Sequence, residues 1–350
     1  MLRVVDLSVQ YRGADSTLQA VSGVSFELPL GSVLGIVGES GCGKSTVARA
    51  VLRLLPRGSE VSGQVLLDDR DVLTASKREL AQLRWGEIAM VFQDAMNSLN
   101  PVIRIGNQLT EAIRQHEPVS RAEAASRARE LLTLVGLDPG TVDRHPHELS
   151  GGMRQRVCIA MAFACRPRVL LADEPTTALD VITQDRVIEE MLRLREEGEQ
   201  AMLFISHDIA LVSEISDQIG VMYAGHLVEL GTVRDVLFEP AHPYTMGLLN
   251  AFPRADTDKE VVSIPGDTAR FATTPGHCPF IDRCPFAIPE CAAEPPPPVT
   301  IAPGHWSACL RASEAPLLRE LSGRPETWKP KLEPAPAATG EVVATVPEIP

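Results

Sequence analysis

The residues Gly38-Glu39-Ser40-Gly41-Cys42-Gly43-Lys44-Ser45 fit the spacing G-x-x-x-x-G-K-[ST], with Thr46 directly after. Glycines in that pattern let successive backbone N–H groups turn inward. A helix beginning there adds its positive end, so the loop suits phosphate oxygens. Lys44 would reach the β- and γ-phosphates, and Ser45 would place its hydroxyl on Mg²⁺. Asp173 ends the apolar run Val169–Ala172 and is followed by Glu174. A carboxylate at the end of a buried strand suits the Mg²⁺ side of such a loop, and its neighbour can polarise an attacking water. Leu149-Ser150-Gly151-Gly152 opens a third candidate, a glycine turn leading into RQRVCIAMAF. Its unpaired N–H groups form a second anion site. One terminal phosphate does not need two such sites from one chain, whereas two chains facing head to tail would use both. Each feature has a plainer reading, the last being an ordinary Ser cap; their weight comes from standing in one chain in this order.

Cys278, Cys284, Cys291 and Cys309 are spaced C-x5-C-x6-C-x17-C, and Cys42, Cys158 and Cys165 lie scattered before them. Paired C-x-x-C knuckles, the usual zinc pattern, are absent. Four thiolates could still hold zinc or an iron–sulfur cluster. Proline directly after Cys278 and Cys284 stiffens the loops that carry them.

The elements that must position these residues read as an α/β chain. VLGIV at 33–37 is a strand buried on both faces, entering the glycine loop. Val47, Val51, Leu54 and Leu55 form one face of the helix that follows, which Pro56 should end. Residues 110–137 read as helical, and 157–165 as a buried core helix. VLLAD (169–173) and AMLFIS (201–206) read as buried strands, and 221–231 as a hairpin turning at Ala224-Gly225. From about Pro253 the periodicity fades and proline rises, and 313–350 reads as a flexible tail.

The composition, 44% hydrophobic and 23% charged, is that of an ordinary soluble chain. A net charge of −13 argues against a general nucleic-acid binder. No run approaches the roughly 18 to 20 apolar residues of a membrane helix. Asp6 interrupts the start where a signal peptide would be apolar. The chain is expected in the cytosol, serving a membrane only by docking to other subunits.

Over about residues 1 to 250 the sequence resembles the ATP-binding subunits of ABC transporters. LSGGM resembles the family signature, VLLADE its Walker B strand with catalytic Glu174, and Gln93 its Q-loop. Ala178-Leu179-Asp180 resembles the D-loop, His207 the switch histidine, and Tyr11 the aromatic that stacks on adenine. The resemblance implies a P-loop NTPase cassette with a RecA-like core, an antiparallel β subdomain and a helical subdomain at about 95–165, within residues 1–252. It implies catalytic roles for Glu174, His207 and Gln93, and Mg²⁺ on Ser45, Gln93 and Asp173. ATP would lie on Tyr11 and residues 38–46, and on Ser150, Gly151, Gly152 and Asp180 across a dimer.

MNSLNP (96–101), Met153, HPYT (242–245), IPG (264–266) and CPFIDRCPFAIPEC narrow the resemblance to importers of oligopeptides, dipeptides or nickel. Ala95 departs from the proline usual there. That subfamily implies a small Cys-rich C-terminal domain at 253–312, and a [4Fe-4S] cluster on Cys278, Cys284, Cys291 and Cys309. It also implies two transmembrane permease subunits, a second ATPase subunit (a paralogue or a copy), an external substrate-binding protein acting indirectly, and a place on the cytoplasmic face of the cell membrane. Peptide is the implied cargo, with nickel or another small solute as the alternative. A soluble ABC ATPase working on DNA or ribosomes is the rival. It would need a coiled coil before the signature or a second cassette, and neither is present in these 350 residues.

Overall fold

The computed structural model describes residues 1–13, 16–93, 98–176, 181–251, 262–271 and 273–329, with backbone only at 181, 182 and 197. Ala95, Met96, Asn97, Ala178, Leu179, Asp180, Pro253 and residues 330–350 lie outside that set.

The chain opens with strands β1 (Leu2–Arg12), β2 (Thr17–Leu28) and β3 (Val33–Val37), then helix α1 (Lys44–Val51). Strands β4 (Glu60–Leu67) and β5 (Arg70–Asp71), helix α2 (Lys77–Leu83) and strand β6 (Ile88–Val91) follow. Three helices come next, α3 (Ile105–His116), α4 (Arg121–Leu134) and α5 (Gly151–Phe163). Then come β7 (Val169–Asp173), α6 (Val181–Gly198), β8 (Ala201–Ile205), α7 (Ile209–Ile215), β9 (Gln218–Tyr223) and β10 (His226–Thr232). The described chain closes with α8 (Val233–Phe238), α9 (Pro243–Asn250), β11 (Val299–Ala302), β12 (His305–Ser307) and α10 (Ala315–Ser322).

Two compact units form. The first comprises Met1–Arg3, Glu27–Leu34 and Leu66–Ile205, and the second Val4–Phe26, Gly35–Val65 and the chain from Ser206 onward. In the first, β6, β7 and β8 pair in parallel, with Ile88 opposite Val169 and Val169 opposite Ala201. Every residue of β7 and β8 is buried, which explains their unbroken apolar runs. The helices α3, α4 and α5 belong to this unit. In the second unit, β9 and β10 pair antiparallel and β12 pairs with β10, Glu229 opposite Ser307. Ala224 and Gly225 both take positive φ, 45° and 84°, the conformation a tight two-residue hairpin turn requires. Strand β3 gives its first two residues to the first unit and its last three to the second.

Three sequence expectations change. The helix after the glycine loop stops at Val51, short of Pro56: Arg53 takes φ 52° and the Leu54 N–H bonds to the Arg49 carbonyl at 2.8 Å, closing the last turn. Leu54 is 36% exposed and is not part of a buried face. The helical stretch at 110–137 is two helices, because Pro118 cannot continue α3 and Ser120 caps α4 by accepting the Glu123 N–H at 3.1 Å. The stretch expected to be a tail from 313 is ordered to 329: Ala315 and Leu318 of α10 are buried with Ala241, Met246 and Phe286. The Trp328 indole N–H donates to the Ser322 carbonyl at 2.9 Å. Strands β10 and β12, from either side of residues 252 and 253, pair within the second unit. Among the described residues no helix is long and apolar enough to cross a membrane.

Candidate functional site

In the second unit, β3 delivers the chain into the glycine loop, whose shape only glycine allows. Gly43 has φ 106°, and a Cβ there would stand 2.3 Å from the Ala20 carbonyl oxygen. Lys44 is 5% exposed, and its ammonium stands inside the loop, donating to the carbonyls of Gly38 at 2.8 Å and Glu39 at 3.0 Å. No side chain caps α1 at Gly43, so the positive end of the helix opens onto the loop. The Gly225 N–H donates to the Cys42 carbonyl at 2.9 Å, tethering the loop to the hairpin turn. Burial pushes the Cys42 thiol pKa up. The Tyr11 hydroxyl lies 3.1 Å from Thr46 Oγ1, which brings the expected adenine-stacking residue to the start of α1. Burial raises the Tyr11 pKa. His207 is exposed just before α7, in the turn where the Asp208 N–H donates to Ser206 Oγ at 3.0 Å. A cradle that side chains would fill, holding a buried cation at a helix start, fits a polyphosphate.

In the first unit, Asp173 ends β7 fully buried. Glu174 follows with φ 46°, its N–H donating to the Ile205 carbonyl at 2.9 Å. A non-glycine residue held in that region is a strained position of the kind found at functional sites. Gln93, 81 residues earlier, donates from Nε2 to Glu174 Oε2 at 3.1 Å. The fold thus brings two of the expected catalytic side chains together. Ser150 caps α5, its Oγ accepting the Met153 N–H at 3.3 Å, with Gly151 and Gly152 in the first turn. Gln155, buried on α5, donates to the Pro175 carbonyl, so the signature helix is fastened to the segment after Glu174. Gln108 grips Asn100 from both sides, accepting its N–H at 2.9 Å and donating to its carbonyl at 3.0 Å. Asp180 lies outside the described residues.

Sequence reasoning assigned no role to Gln155, Gln108, Tyr244 or Arg283. The Tyr244 hydroxyl accepts the Glu39 N–H at 3.0 Å, and Arg283 pairs with the Glu39 carboxylate. HPYT and CPFIDRCPF were visible as family-like strings, but no spacing rule connects them to a loop more than 200 residues away.

The four clustered cysteines line one cavity of about 20 Å³, beside Phe280, Phe286 and Arg311. All four are free thiols. The backbone N–H groups of Phe280, Phe286 and Arg311 favour the thiolates of Cys278, Cys284 and Cys309 respectively. Burial still pushes Cys278 up to about 11 and Cys309 to about 12, and Cys284 higher again. Among the described residues no three His, Cys, Asp or Glu side chains are gathered as a metal site, so the expected cluster on these four cysteines is not shown. Thiols facing one cavity with N–H donors behind them fit a thiolate-ligated group in kind; a cavity of about 20 Å³ has room for little more than one water-sized species.

The family model described as ABC transporter matches residues 21–177, and the one described as oligopeptide/dipeptide transporter, C-terminal region, matches residues 228–291. The chain is 43% identical to the oligopeptide transport ATP-binding protein OppD of Escherichia coli over 90% of this chain and 94% of that one. It is 41% identical to the dipeptide transport ATP-binding protein DppD of Bacillus subtilis over 83% of this chain and 88% of that one. Its fold is similar to the ATP-binding cassette MJ0796, solved as a dimer in a post-hydrolysis state bound to ADP and Pi, with a TM-score of 0.60 and 28% identity. That match covers 67% of this chain and 99% of that one.

Proposed function

The chain belongs to the ATP-binding subunits of ABC transporters, and from that premise we propose that it energises peptide import from the cytoplasmic face of a membrane. It is an ATPase with the ABC cassette fold. The observation that carries the peptide reading is the joining, in one chain, of the phosphate loop to a C-terminal region matching that of oligopeptide and dipeptide transporters.

Tyr11 would stack on adenine, and residues 38–46 would hold the phosphates. Ser45, Gln93 and Asp173 would hold Mg²⁺, which supplies charge neutralisation on the phosphates. Glu174 would polarise the attacking water, kept in orientation by Gln93. His207 would contact the γ-phosphate. Ser150, Gly151, Gly152 and Asp180 would complete the site of a second ATPase subunit, a paralogue or a copy. The chemistry is then chiefly positioning and charge stabilisation. The loop from Gln93 to Pro101, clamped at Asn100 by Gln108, would pass closure to two permease subunits fed by an external binding protein.

The segment around the cysteines would form a small C-terminal domain at 253–312, and the four thiols would hold the [4Fe-4S] cluster that the resemblance implies. The support is their convergence on one cavity with N–H donors behind three of them. No step of hydrolysis runs through it. Anaerobic purification followed by iron and sulfide analysis tests this point.

The function is tested by capture of the chain from its own membranes in mild detergent, followed by ATP-driven uptake of labelled peptide into vesicles containing the captured complex. Two polytopic subunits and peptide uptake are expected. Glu174→Gln should cut turnover by about 1000-fold while ATP remains bound. Capture with soluble partners alone, or uptake of a non-peptide solute in place of peptide, would overturn the reading.

A further inference from the structure

Glu39 puts a carboxylate into the phosphate loop. The loop works by presenting N–H groups and a lysine to negative oxygens, and a carboxylate in it repels the ligand. The structure shows how that charge is managed. Arg283 forks onto it, Nη1 to Oε2 at 2.8 Å and Nη2 to Oε1 at 2.9 Å. The third face of the guanidinium is used as well: Nε donates to the Pro265 carbonyl at 2.9 Å, and Cζ lies 5.6 Å from the centre of the Tyr223 ring. The Arg283 side chain is 8% exposed, so this is a largely desolvated pair. Thr268 Oγ1 donates to the same carboxylate, and the Tyr244 hydroxyl accepts the Glu39 N–H. Glu39 is thus held by its carboxylate and its backbone at once, all within the second unit.

Arg283 is itself placed by the cysteine segment. It ends the three-residue turn Ile281–Arg283 between Cys278 and Cys284, its N–H bonded to the Phe280 carbonyl at 3.1 Å. Phe280 packs against Tyr223 and Tyr244 with ring centres 5.1 and 5.4 Å apart, and it lines the same cavity as Cys278 and the other three cysteines. One run of contacts therefore leads from the four-cysteine cavity to the phosphate loop.

We propose that Arg283 is a positioning residue for nucleotide binding, neutralising and holding Glu39 of the phosphate loop, so that ATP affinity depends on the order of the cysteine segment that carries Arg283. The inference rests on the reading of residues 38–46 as the ATP site. A carboxylate left unpaired beside the phosphates repels them, an effect that salt screens. Exposing Glu39 should therefore weaken ATP binding about tenfold.

The test measures Mg²⁺-ATP affinity of the full chain with a fluorescent ATP analogue, and KM and kcat in the assembled complex. Arg283→Met should raise Kd and KM about tenfold with kcat within about twofold, and Arg283→Lys should recover part of the loss. In a Glu39→Gln background, Arg283→Met should change affinity by less than about twofold, because no charge is left to neutralise. Cys284→Ser should weaken ATP binding in the parent but not in Glu39→Gln/Arg283→Met. An Arg283→Met loss of equal size in both backgrounds would mean a packing role alone and would overturn the proposal, as would unchanged affinity in Arg283→Met. If Arg283→Met does not fold, Arg283→Lys and the double variant decide by the same comparison. A parent chain that binds no ATP would instead remove the nucleotide reading beneath it.

Discussion

The molecule contains two glycine turns that open helices, and they are built in opposite ways. The turn at Gly38–Gly43 is braced from afar: by Gly225 on its backbone, Tyr244 on the Glu39 N–H, and Arg283 and Thr268 on the Glu39 carboxylate. Its helix has no side-chain cap. The turn at Ser150–Gly152 is braced locally, by its own Ser150 Oγ on the Met153 N–H, with Gln155 anchoring the helix one turn on. A loop that must hold a triphosphate within its own chain needs its N–H groups open and its backbone immobilised by other elements. A turn that meets a ligand only when a second chain brings it can rest as an ordinary capped helix start. Preorganisation is concentrated where the binding energy is first realised.

Trp328→Ala should strip the first turn of part of its scaffold. The indole is 4% exposed, sits against Gly247 and Phe286, and donates to Ser322. A loss of about 3 to 5 kcal/mol in urea unfolding is expected. Lys44→Ala attacks the first turn directly. Removing a charged donor of this kind costs about 2 to 3 kcal/mol, so ATP affinity of the isolated chain should fall about 100-fold by titration. Ser150→Arg is the counterpart at the second turn. ATP affinity of the isolated chain should stay within about twofold, while turnover in the assembled complex drops about 50-fold, since only the dimer uses that turn. If Ser150→Arg weakened binding by the isolated chain, the contrast between the turns would fail.

The smallest effect concerns the far end of α5. Arg127 donates to the Ala164 carbonyl at 2.7 Å and to Glu117 Oε1 at 2.8 Å, and that bond holds the Glu117 carboxyl below its ordinary value. A depressed acid contributes stability that is full above its unfolded pKa and is lost as pH falls through the folded one. Arg127→Gln should therefore flatten the decline in melting temperature below about pH 4.5, by less than about 1 kcal/mol because the pair is partly exposed.

The residues proposed for the site stand out in the sequence because their signals are local: a glycine pattern, an acidic strand end, a serine before a helix. The strands at 33–37, 169–173 and 201–205 were readable from unbroken apolar runs, and the hairpin from Ala224-Gly225. The helix ends were less so, since the stop at Val51 depends on Arg53 taking positive φ, which no residue type there announces. Helix α10 was hidden because its prolines resemble a linker; its order comes from Ala315 and Leu318 meeting Met246 and Phe286.

The sequence by itself determined the glycine loop, the strand end that carries Asp173 and Glu174, and the capped helix start at Ser150, because each depends on backbone preferences spanning a few residues. Only the tertiary structure decided that Gln93 meets Glu174, that Gln155 ties α5 to Pro175, and that Arg283 reaches Glu39 across 244 residues. Such pairings follow from how sheets and buried aromatic rings stack, and a side chain's type does not state which distant partner packing will bring to it.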